Sequence, residues 1–245
     1  MNYGTWDVDG KPVPVTSTYR IAWRAMAATT GFRTFYPALI PPGAKHVHGV
    51  HSAGPIETVA HVFAGAAASS FLGDFYVRAA GIANLYGQVF ESLPMPVKSK
   101  HYDDIARTFL RLNCLTPAYA ELWGRITGSE WTPNTPIRNA VQRQQAQVRI
   151  DVSVAQMLNI SEGELRMIYR TQFPVMRKYD LVDKYDKNGR IVPKEILKVS
   201  EKGGAESEYL TWVDPQSGKE YTFQPPFELF DREAEISKAY AELSN

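Results

Sequence analysis

Residues 19–54 restrict the folds open to this chain more than any other stretch of its sequence. Apolar and basic side chains alternate in the segment RIAWR, from Arg20 to Arg24, with the period of two that is typical of a half-buried strand. A second apolar run reads FYPALI and is closed by the turn signal PPG, and the segment KHVHGVH then alternates again. The stretch predicts two or three strands, with cations on one face and in the loops between them.

The same stretch lies in a run, from Lys11 to Ile56, that contains no aspartate and no glutamate. The cations and histidines of this run are Lys11, Arg20, Arg24, Arg33, Lys45, His46, His48 and His51. Because the whole chain has a formal net charge of only +1, the local positive charge favours a surface that binds an anion. A strand face that is simply solvated would explain the same charges, and charge alone does not choose between these interpretations.

Composition restricts the class of protein. The chain has 245 residues, 44% of them hydrophobic, which suits one large or two small globular domains with a core. It shows no apolar run of transmembrane length, and we expect neither a signal peptide nor a membrane contact. Cys114 is the only cysteine, so an internal disulfide and a cysteine-based zinc site are excluded, and a cytoplasmic location is expected.

Charge is distributed unevenly along the chain. Residues 1–100 hold 8 Lys and Arg against 5 Asp and Glu, so residues 101–245 hold 19 against 21 (27−8 and 26−5). With a net charge of +3, the N-terminal part is the better candidate for contact with a polyanion such as a nucleic acid.

Three segments outside the central stretch have recognisable patterns. Residues 1–18 are predicted to be an extended lead-in linker, because Pro12 and Pro14 oppose a helix. The Ala-rich segment 56–72 predicts a buried helix or a pair of helices. The segment 84–93 alternates loosely and runs into a Pro-Met-Pro sequence, which favours an edge strand.

After Pro96 the periodicity of the sequence becomes helical. The first helices predicted there span residues 103–111, 117–127 and 136–158. Pro136 is expected in the first turn of the third helix, where proline is tolerated. A further helix is predicted to begin at a capping box formed by Ser161 and Glu164 and to end near Gln172, before a proline.

A β-hairpin is predicted near the C-terminus, with strands at 208–213 and 220–223, and a short helix follows at 234–243. These elements predict an α+β fold: an N-terminal mixed or antiparallel sheet with flanking helices, then a helical region and a C-terminal β-hairpin. The predicted parts are a lead-in linker (1–18), a sheet-rich part (19–98), a helical part (99–180), and a tail with the hairpin and the terminal helix (181–245).

The sequence lacks the common motifs of catalysis. It has no P-loop, no G-x-G-x-x-G dinucleotide motif and no G-x-S-x-G nucleophile motif. The segment FAGAA at 63–67 begins like a methyl-donor-binding glycine motif. It lacks the second glycine and lies in a helical, Ala-rich run, which favours core packing.

Three histidines, His46, His48 and His51, are close enough in the sequence to suggest a site for zinc or a similar ion. No nearby carboxylate completes the ligand set, since the next acidic residue is Glu57. We therefore expect no metal site and interpret the histidines as loop residues that donate to phosphates or base edges, with a plain surface loop as the alternative.

A second patch without acidic residues lies on the predicted long helix. Arg138, Gln142, Gln145 and Arg149 are spaced so that they share one helical face. Arg and Gln are good donors to phosphates and base edges, but a solvated polar face is the favoured interpretation of a lone stripe.

Four segments resemble the C-terminal part of large bacterial adenine-specific DNA methylases, which include the type IIG restriction-modification enzymes and related methylases of phage-defence systems. The segments are YRIAWRAMAATTGFRTFYPALIPPGAKHVHGVHS (19–52), LPMP (93–96), FLRLNCLTPAYAELW (109–123) and ELRMIYRTQFPVMRKYD (164–180). They occur in the order found in that family. There, this region follows the catalytic domain and acts as the target-recognition domain, which reads the DNA sequence.

The resemblance implies recognition without catalysis. The family's catalytic domain has a glycine-rich S-adenosylmethionine loop and an Asn-Pro-Pro-Tyr/Phe motif that holds the flipped adenine, whereas this sequence has no Asn-Pro pair. We therefore expect a fragment or split subunit that is not an enzyme and binds no cofactor. S-adenosylmethionine would be bound by a methyltransferase catalytic domain in the same chain or complex. The parent would be a site-specific DNA adenine N6-methyltransferase, with or without endonuclease activity.

The predicted function is sequence-specific recognition of double-stranded DNA. The residues predicted to contact DNA are Arg20, Arg24, Arg33, Thr34, Lys45, His46, His48, His51 and Arg78. Arg33 and Lys45 stand beside turn signals and are expected to be exposed. The alternative is a protein-interaction module whose helical half docks onto a methylase or defence-complex partner, which an exposed apolar stripe on helices 103–127 would favour.

Overall fold

The computed structural model describes residues 4–28, 30–96, 101–201 and 210–243. Its strands are β1 (Thr5–Val8), β2 (Lys11–Pro14), β3 (Arg20–Arg24), β4 (Ala38–Ile40), β5 (Val50–Ala53), β6 (Lys184–Tyr185), β7 (Leu210–Val213), β8 (Glu220–Phe223) and β9 (Glu228–Leu229). Its α-helices are α1 (Val59–Ala68), α2 (Phe71–Ala79), α3 (Gly87–Glu91), α4 (Tyr102–Asn113), α5 (Ala120–Thr127), α6 (Ala140–Met157), α7 (Glu162–Gln172), α8 (Pro174–Asp180), α9 (Lys194–Glu201) and α10 (Arg232–Leu243). The fold is α+β, as predicted, with small antiparallel sheets towards both ends of the chain and helices between them.

The N-terminal sheet has three antiparallel strands in the order β4-β3-β5. Its central strand pairs Arg20 with Ile40 of β4 and Trp23 with His51 of β5. The residues from Arg20 to Trp23 are all buried, so the prediction of a half-buried strand is wrong for most of β3. The reason is that both faces of β3 are covered. Helix α1 packs on one face, and the loop between β4 and β5 crosses the other, where it is hydrogen-bonded to Arg20.

The Ala-rich segment forms the helix pair α1 and α2, as predicted. Its small side chains allow α1 to approach β3 and α4 closely. A Cβ atom placed on Gly65 would lie 2.6 Å from Cδ1 of Ile21 and 2.9 Å from Cε1 of Phe109. Gly65 is therefore needed for close packing, which supports the interpretation of the FAGAA segment as part of the core.

Helices form at the segments of the helical part where they are predicted. The capping box of α7 is present, since Ser161 Oγ accepts from the backbone N–H of Glu164 and the Glu164 carboxylate accepts from the backbone N–H of Ser161. Helix α6 begins later than predicted because Asn139 is its N-cap residue, so Pro136 does not lie in its first turn.

One hydrophobic core joins the sheet to the helices. Its members extend from Tyr19, just before β3, to Leu243 of α10, so the sheet-rich and helical parts share this core. A smaller cluster of Val192, Ile196 and Phe223 packs the hairpin β7-β8 against α9. The predicted C-terminal hairpin and terminal helix are thus both present, and they belong to different clusters.

Residues 84–93 contain the one-turn helix α3 instead of the predicted edge strand. Leu85, Val89 and Leu93 are buried at intervals of four residues, which is the spacing of one helical face and not of a strand. The prediction of an edge strand is therefore wrong for this segment.

The predicted lead-in linker folds into a hairpin. Strands β1 and β2 pair antiparallel, from Thr5 opposite Pro14 to Val8 opposite Lys11. Asp9 and Gly10 form the turn, with φ angles of 51° and 74°, and an Asp-Gly pair is a strong hairpin signal. The predicted boundary between residues 98 and 99, and residues 208–209 of the predicted hairpin, lie outside the described residues.

Candidate nucleic-acid interface

The structure separates the predicted DNA-contacting residues into two groups. The enclosed group is Arg20, Arg33, Thr34 and Arg78, and the group with exposed or half-exposed side chains is Arg24, Lys45, His46, His48 and His51. Only the second group has exposed or half-exposed side chains, and within it Nδ1 of His46 and Nε2 of His51 are buried atoms. The first group consists of structural residues, so the prediction that they contact DNA is wrong.

Arg33 is a buried cation at the centre of the molecule. Its Nη2 donates to the Asp151 carboxylate at 3.1 Å, and its Nη1 donates to the carbonyl oxygen of Ser69 at 3.0 Å. The guanidinium also lies over the Phe71 ring, 4.5 Å from its centre. Arg33 is 6% exposed, so the expectation of an exposed side chain is wrong. The physical reason is Asp151 on α6, a fully buried carboxylate that needs a cation beside it.

Asp74 of α2 holds two further candidates inside the protein. Its Oδ2 accepts from the backbone N–H of Thr34 at 2.8 Å, and its Oδ1 accepts from Nε of Arg78 at 2.7 Å. Arg78 also donates from Nη1 to the carbonyl oxygen of Gln172 at 2.9 Å. These bonds tie the segment before β4 to α2 and α7, so Thr34 and Arg78 are structural and do not face a ligand.

Arg20 does not face a ligand itself; it holds the loop between β4 and β5 in place. Its Nη2 donates to the carbonyl oxygen of Ala44 at 2.5 Å. Two residues further on, Nε2 of His46 lies 2.9 Å from Oγ of Ser52, on β5. The loop is therefore fastened on both sides of Lys45, whose own side chain is exposed. Arg20 positions Lys45 and is itself out of reach of a ligand.

The exposed candidates lie along the loop that crosses β3. The loop leaves β4 at Ile40, opposite Arg20 at one end of β3, and enters β5 at Val50, opposite Arg24 at the other end. Since a strand rises about 3.3 Å per residue, these two ends of β3 are about 13 Å apart. One strand of a DNA duplex presents a phosphate for about every 3.4 Å of axis, so a loop that spans this distance runs past several phosphates.

An exposed tyrosine extends this surface. The chain turns back to the end of β3, where Leu85 N–H donates to the carbonyl oxygen of Ala25 at 2.8 Å and Trp23 Nε1 donates to that of Leu85 at 2.7 Å. Tyr86, 50% exposed, is thereby placed with its ring 5.4 Å from that of His51. We call Arg24, Lys45, His46, His48, His51 and Tyr86 the loop surface.

Tyr86 is a residue that sequence reasoning missed. In the sequence it stands in a segment interpreted as an edge strand, with no charged neighbour to mark it. Only the long-range bonds between that segment and the end of β3 bring it beside the histidines. An exposed tyrosine next to glycine is too common to serve as a signal by itself.

The two cations of the loop surface are Arg24 and Lys45. Among the described residues, no carboxylate forms an ion pair or hydrogen bond with Arg24 or Lys45.

The second basic patch differs, because Arg149 bonds the carboxylate of Asp104 at 2.9 Å and Arg138 donates to the carbonyl oxygen of Leu115 at 2.7 Å. The prediction that these residues share one solvated helical face is wrong for Arg138, which precedes the N-cap residue Asn139 and lies outside α6. Arg149 is on α6 but is bonded within the protein.

The three histidines are not arranged around a common point. His46 is engaged with Ser52, and the ring centres of His48 and His51 are 6.3 Å apart at a steep angle. In the part of the chain that the structure describes, no group of three or more His, Cys, Asp or Glu side chains is placed to hold a metal ion. The absence of a metal in the working protein stays a prediction.

Comparison with known proteins identifies no relative. No protein-family model, no curated protein and no solved structure matches the chain. Over the described residues, none of the helices is both long enough and apolar enough to pass through a membrane. The case for a function therefore depends on the loop surface and on the resemblance of the four sequence segments.

Proposed function

We propose that this chain recognises a specific sequence of double-stranded DNA for an adenine-specific DNA methyltransferase, and that the loop surface makes the contact. The observation that carries the proposal is the loop surface itself: two exposed cations without an ion pair among the described residues, and three histidines, on one fastened loop and the adjoining strands. A loop that is fastened before binding, with Lys45 on it and Arg24 on the adjoining strand, suits a rigid polyanion, because less conformational entropy is lost on binding.

The chemistry of the loop surface suggests a division of roles. Arg24 and Lys45 would contact phosphates, which fixes the position of the protein on the duplex. His48, which is exposed, would contact base edges, since an imidazole can both donate and accept hydrogen bonds. Tyr86 offers an exposed hydroxyl and ring beside it.

The proposal includes a catalytic partner. S-adenosylmethionine and the reacting adenine would be held by a methyltransferase catalytic domain in the same chain or complex, as the resemblance to the type IIG enzymes implies. The present residues would supply specificity and no catalytic group. A cytoplasmic location is part of this proposal because the substrate would be chromosomal or phage DNA.

The interaction-module hypothesis receives less support. It calls for an exposed apolar stripe on the helices of residues 103–127, all of which are described. The large hydrophobic residue exposed there is Leu115, at 38%, while Ile105, Phe109 and Leu122 are at most 1% exposed. The apolar faces of α4 and α5 are thus used in the core and are not free to dock onto a partner.

The phosphate contacts are tested by titrating a fluorescent mixed-sequence duplex at several salt concentrations. The Arg24→Ala/Lys45→Ala variant should weaken binding on all sequences and reduce the salt slope by about two units, one for each lost contact. The matched control is Arg107→Ala/Lys178→Ala, which removes the same charge from exposed positions on α4 and α8. Equal loss in both variants would show that net charge alone drives binding and would refute the proposed interface.

The base contact is tested by selection from a random duplex pool. Wild-type protein should enrich a defined sequence, and His48→Ala should lose preference at one position of it, with a cost of roughly 1–3 kcal/mol for the preferred base. Failure of the wild-type protein to enrich any sequence would refute the assignment of specificity to this chain.

A further inference from the structure

A cavity of about 350 Å³ lies between residues 32–38, Ser69 in the turn between α1 and α2, and helices α4 and α6. Its volume falls in the range of small-molecule sites, and it is formed by elements that are distant in the sequence, as such sites commonly are. Apart from Arg33, a structural residue, no residue assigned above to DNA lines it. The cavity is therefore separate from the residues proposed to contact DNA.

The cavity has an apolar floor and an open mouth. Phe35 and Phe109, which line it, are each 1% exposed and must lie at its floor. Tyr36 is 48% exposed and Ala38, in β4, is also exposed, so these lining residues mark the mouth. A ligand that enters past Tyr36 would place an apolar or aromatic body against the two phenylalanine rings.

Two arginines line the cavity, and only one of them is neutralised. Arg33 is paired with the buried carboxylate of Asp151. Arg143 donates only to backbone carbonyl oxygens, from Nη1 to Ile137 at 2.8 Å and from both Nη atoms to Leu112 at 3.1 Å. Within the described part of the chain, no carboxylate pairs with Arg143, so the cavity wall carries one excess positive charge.

The environment of Arg143 disfavours this unpaired charge. Burial lowers the pKa of the guanidinium, in agreement with the absence of an anion beside it among the described residues. The other polar side chains of the wall are neutral: they are the amides of Asn113, Gln144 and Gln147 and the hydroxyls of Tyr36 and Ser69. An entering anion would therefore meet one cation and no competing negative charge.

We propose that this cavity binds a small aromatic monocarboxylate, with its ring on Phe35 and Phe109 and its carboxylate against Arg143. The single excess charge matches a monoanion better than a phosphate dianion. The planar guanidinium suits the planar carboxylate, which accepts two parallel hydrogen bonds in such pairs. The phenylalanine floor favours an aromatic body over a sugar or a polar chain.

The test measures binding of naphthoate to the whole chain by calorimetry, with naphthamide as the neutral isostere. Naphthoate should bind at least about 10-fold more tightly than naphthamide, because the amide cannot form a charge-assisted pair. Arg143→Gln should remove this preference, whereas Arg138→Gln, a matched arginine that also donates to a backbone carbonyl but lies outside the cavity, should retain it.

A second variant keeps the test decisive if Arg143→Gln does not fold. Ala38→Trp narrows the mouth at an exposed position and should weaken naphthoate binding about 10-fold or more while the melting curve stays close to that of the wild type. The proposal is overturned if naphthoate and naphthamide bind equally or not at all, or if a folded Ala38→Trp protein binds naphthoate as the wild type does.

Discussion

Replacement of Arg33 by leucine should destabilise the protein strongly, although this arginine belongs to a sequence segment that looks like a ligand-binding surface. The change removes two contacts to the buried carboxylate of Asp151, at 3.1 Å and 3.4 Å, and leaves that carboxylate without its cation. Breaking a buried pair on one side costs roughly 3–5 kcal/mol.

The hydrogen bonds that remain in the variant place the loss of stability at the lower end of that range. Asp151 would still accept from the backbone N–H of Phe71 at 2.7 Å. The carbonyl oxygen of Ser69 would still accept from Nε2 of Gln147 at 3.1 Å. We therefore expect a loss of about 3 kcal/mol in the free energy of unfolding, which corresponds to a melting temperature lower by roughly 6–12 °C for a chain of this size.

The assay is urea unfolding and thermal melting followed by circular dichroism. Lys45→Leu, at an exposed position without an ion pair among the described residues, is the control and should stay within about 0.5 kcal/mol of the wild type. The double variant Arg33→Leu/Asp151→Leu should be more stable than Arg33→Leu alone, because it leaves no unpaired buried charge. If Arg33→Leu unfolds within about 1 kcal/mol of the wild type, Arg33 is not the structural cation described here.

Three further predictions follow from the core, from the cysteine and from the ion pairs of α10. Gly65→Ala should lower the free energy of unfolding by about 1–3 kcal/mol in a urea titration, because its Cβ would meet Ile21 and Phe109, whereas Gly163→Ala, with nothing within 4 Å, should not destabilise. Burial raises the pKa of Cys114 to about 12, so a thiol reagent at neutral pH should modify the protein only after denaturant is added; rapid labelling of the native protein would contradict this. Bonds from Arg170 and then Arg166 lower the pKa of Glu233 from 4.5 to about 2, so its contribution to stability is complete above pH 4.5 and is lost as the pH falls towards 2. Melting curves across this window should show that the wild type loses about 1 kcal/mol of its free energy of unfolding, a value that allows for solvent screening. Glu233→Gln should not show this loss, and an identical pH profile in the variant would refute the assignment.

Much of the local structure was visible in the sequence. The capping box at Ser161 and Glu164 and the Ala-rich pair of helices depend on neighbouring residues, and both are present. The Asp-Gly pair at residues 9–10 carried the signal of the first hairpin, although the prolines beside it directed the interpretation towards a linker. Errors arose where two periodicities compete, as in residues 84–93, whose buried positions follow a helical interval.

Only the tertiary structure decides which cations are buried and which are exposed. In the sequence, Arg24 and Arg33 are alike: each is a basic residue in an acid-free run. In the fold, Arg33 lies beside a carboxylate 118 residues further along the chain, while Arg24 stands exposed at the end of β3. A charge can be buried only where an opposite charge or several acceptors are brought to it, and such partners become neighbours only when distant segments pack. The sequence thus determined that the N-terminal part carries excess positive charge, and the packing of α2 and α6 against it determined which of those charges remain available to a ligand.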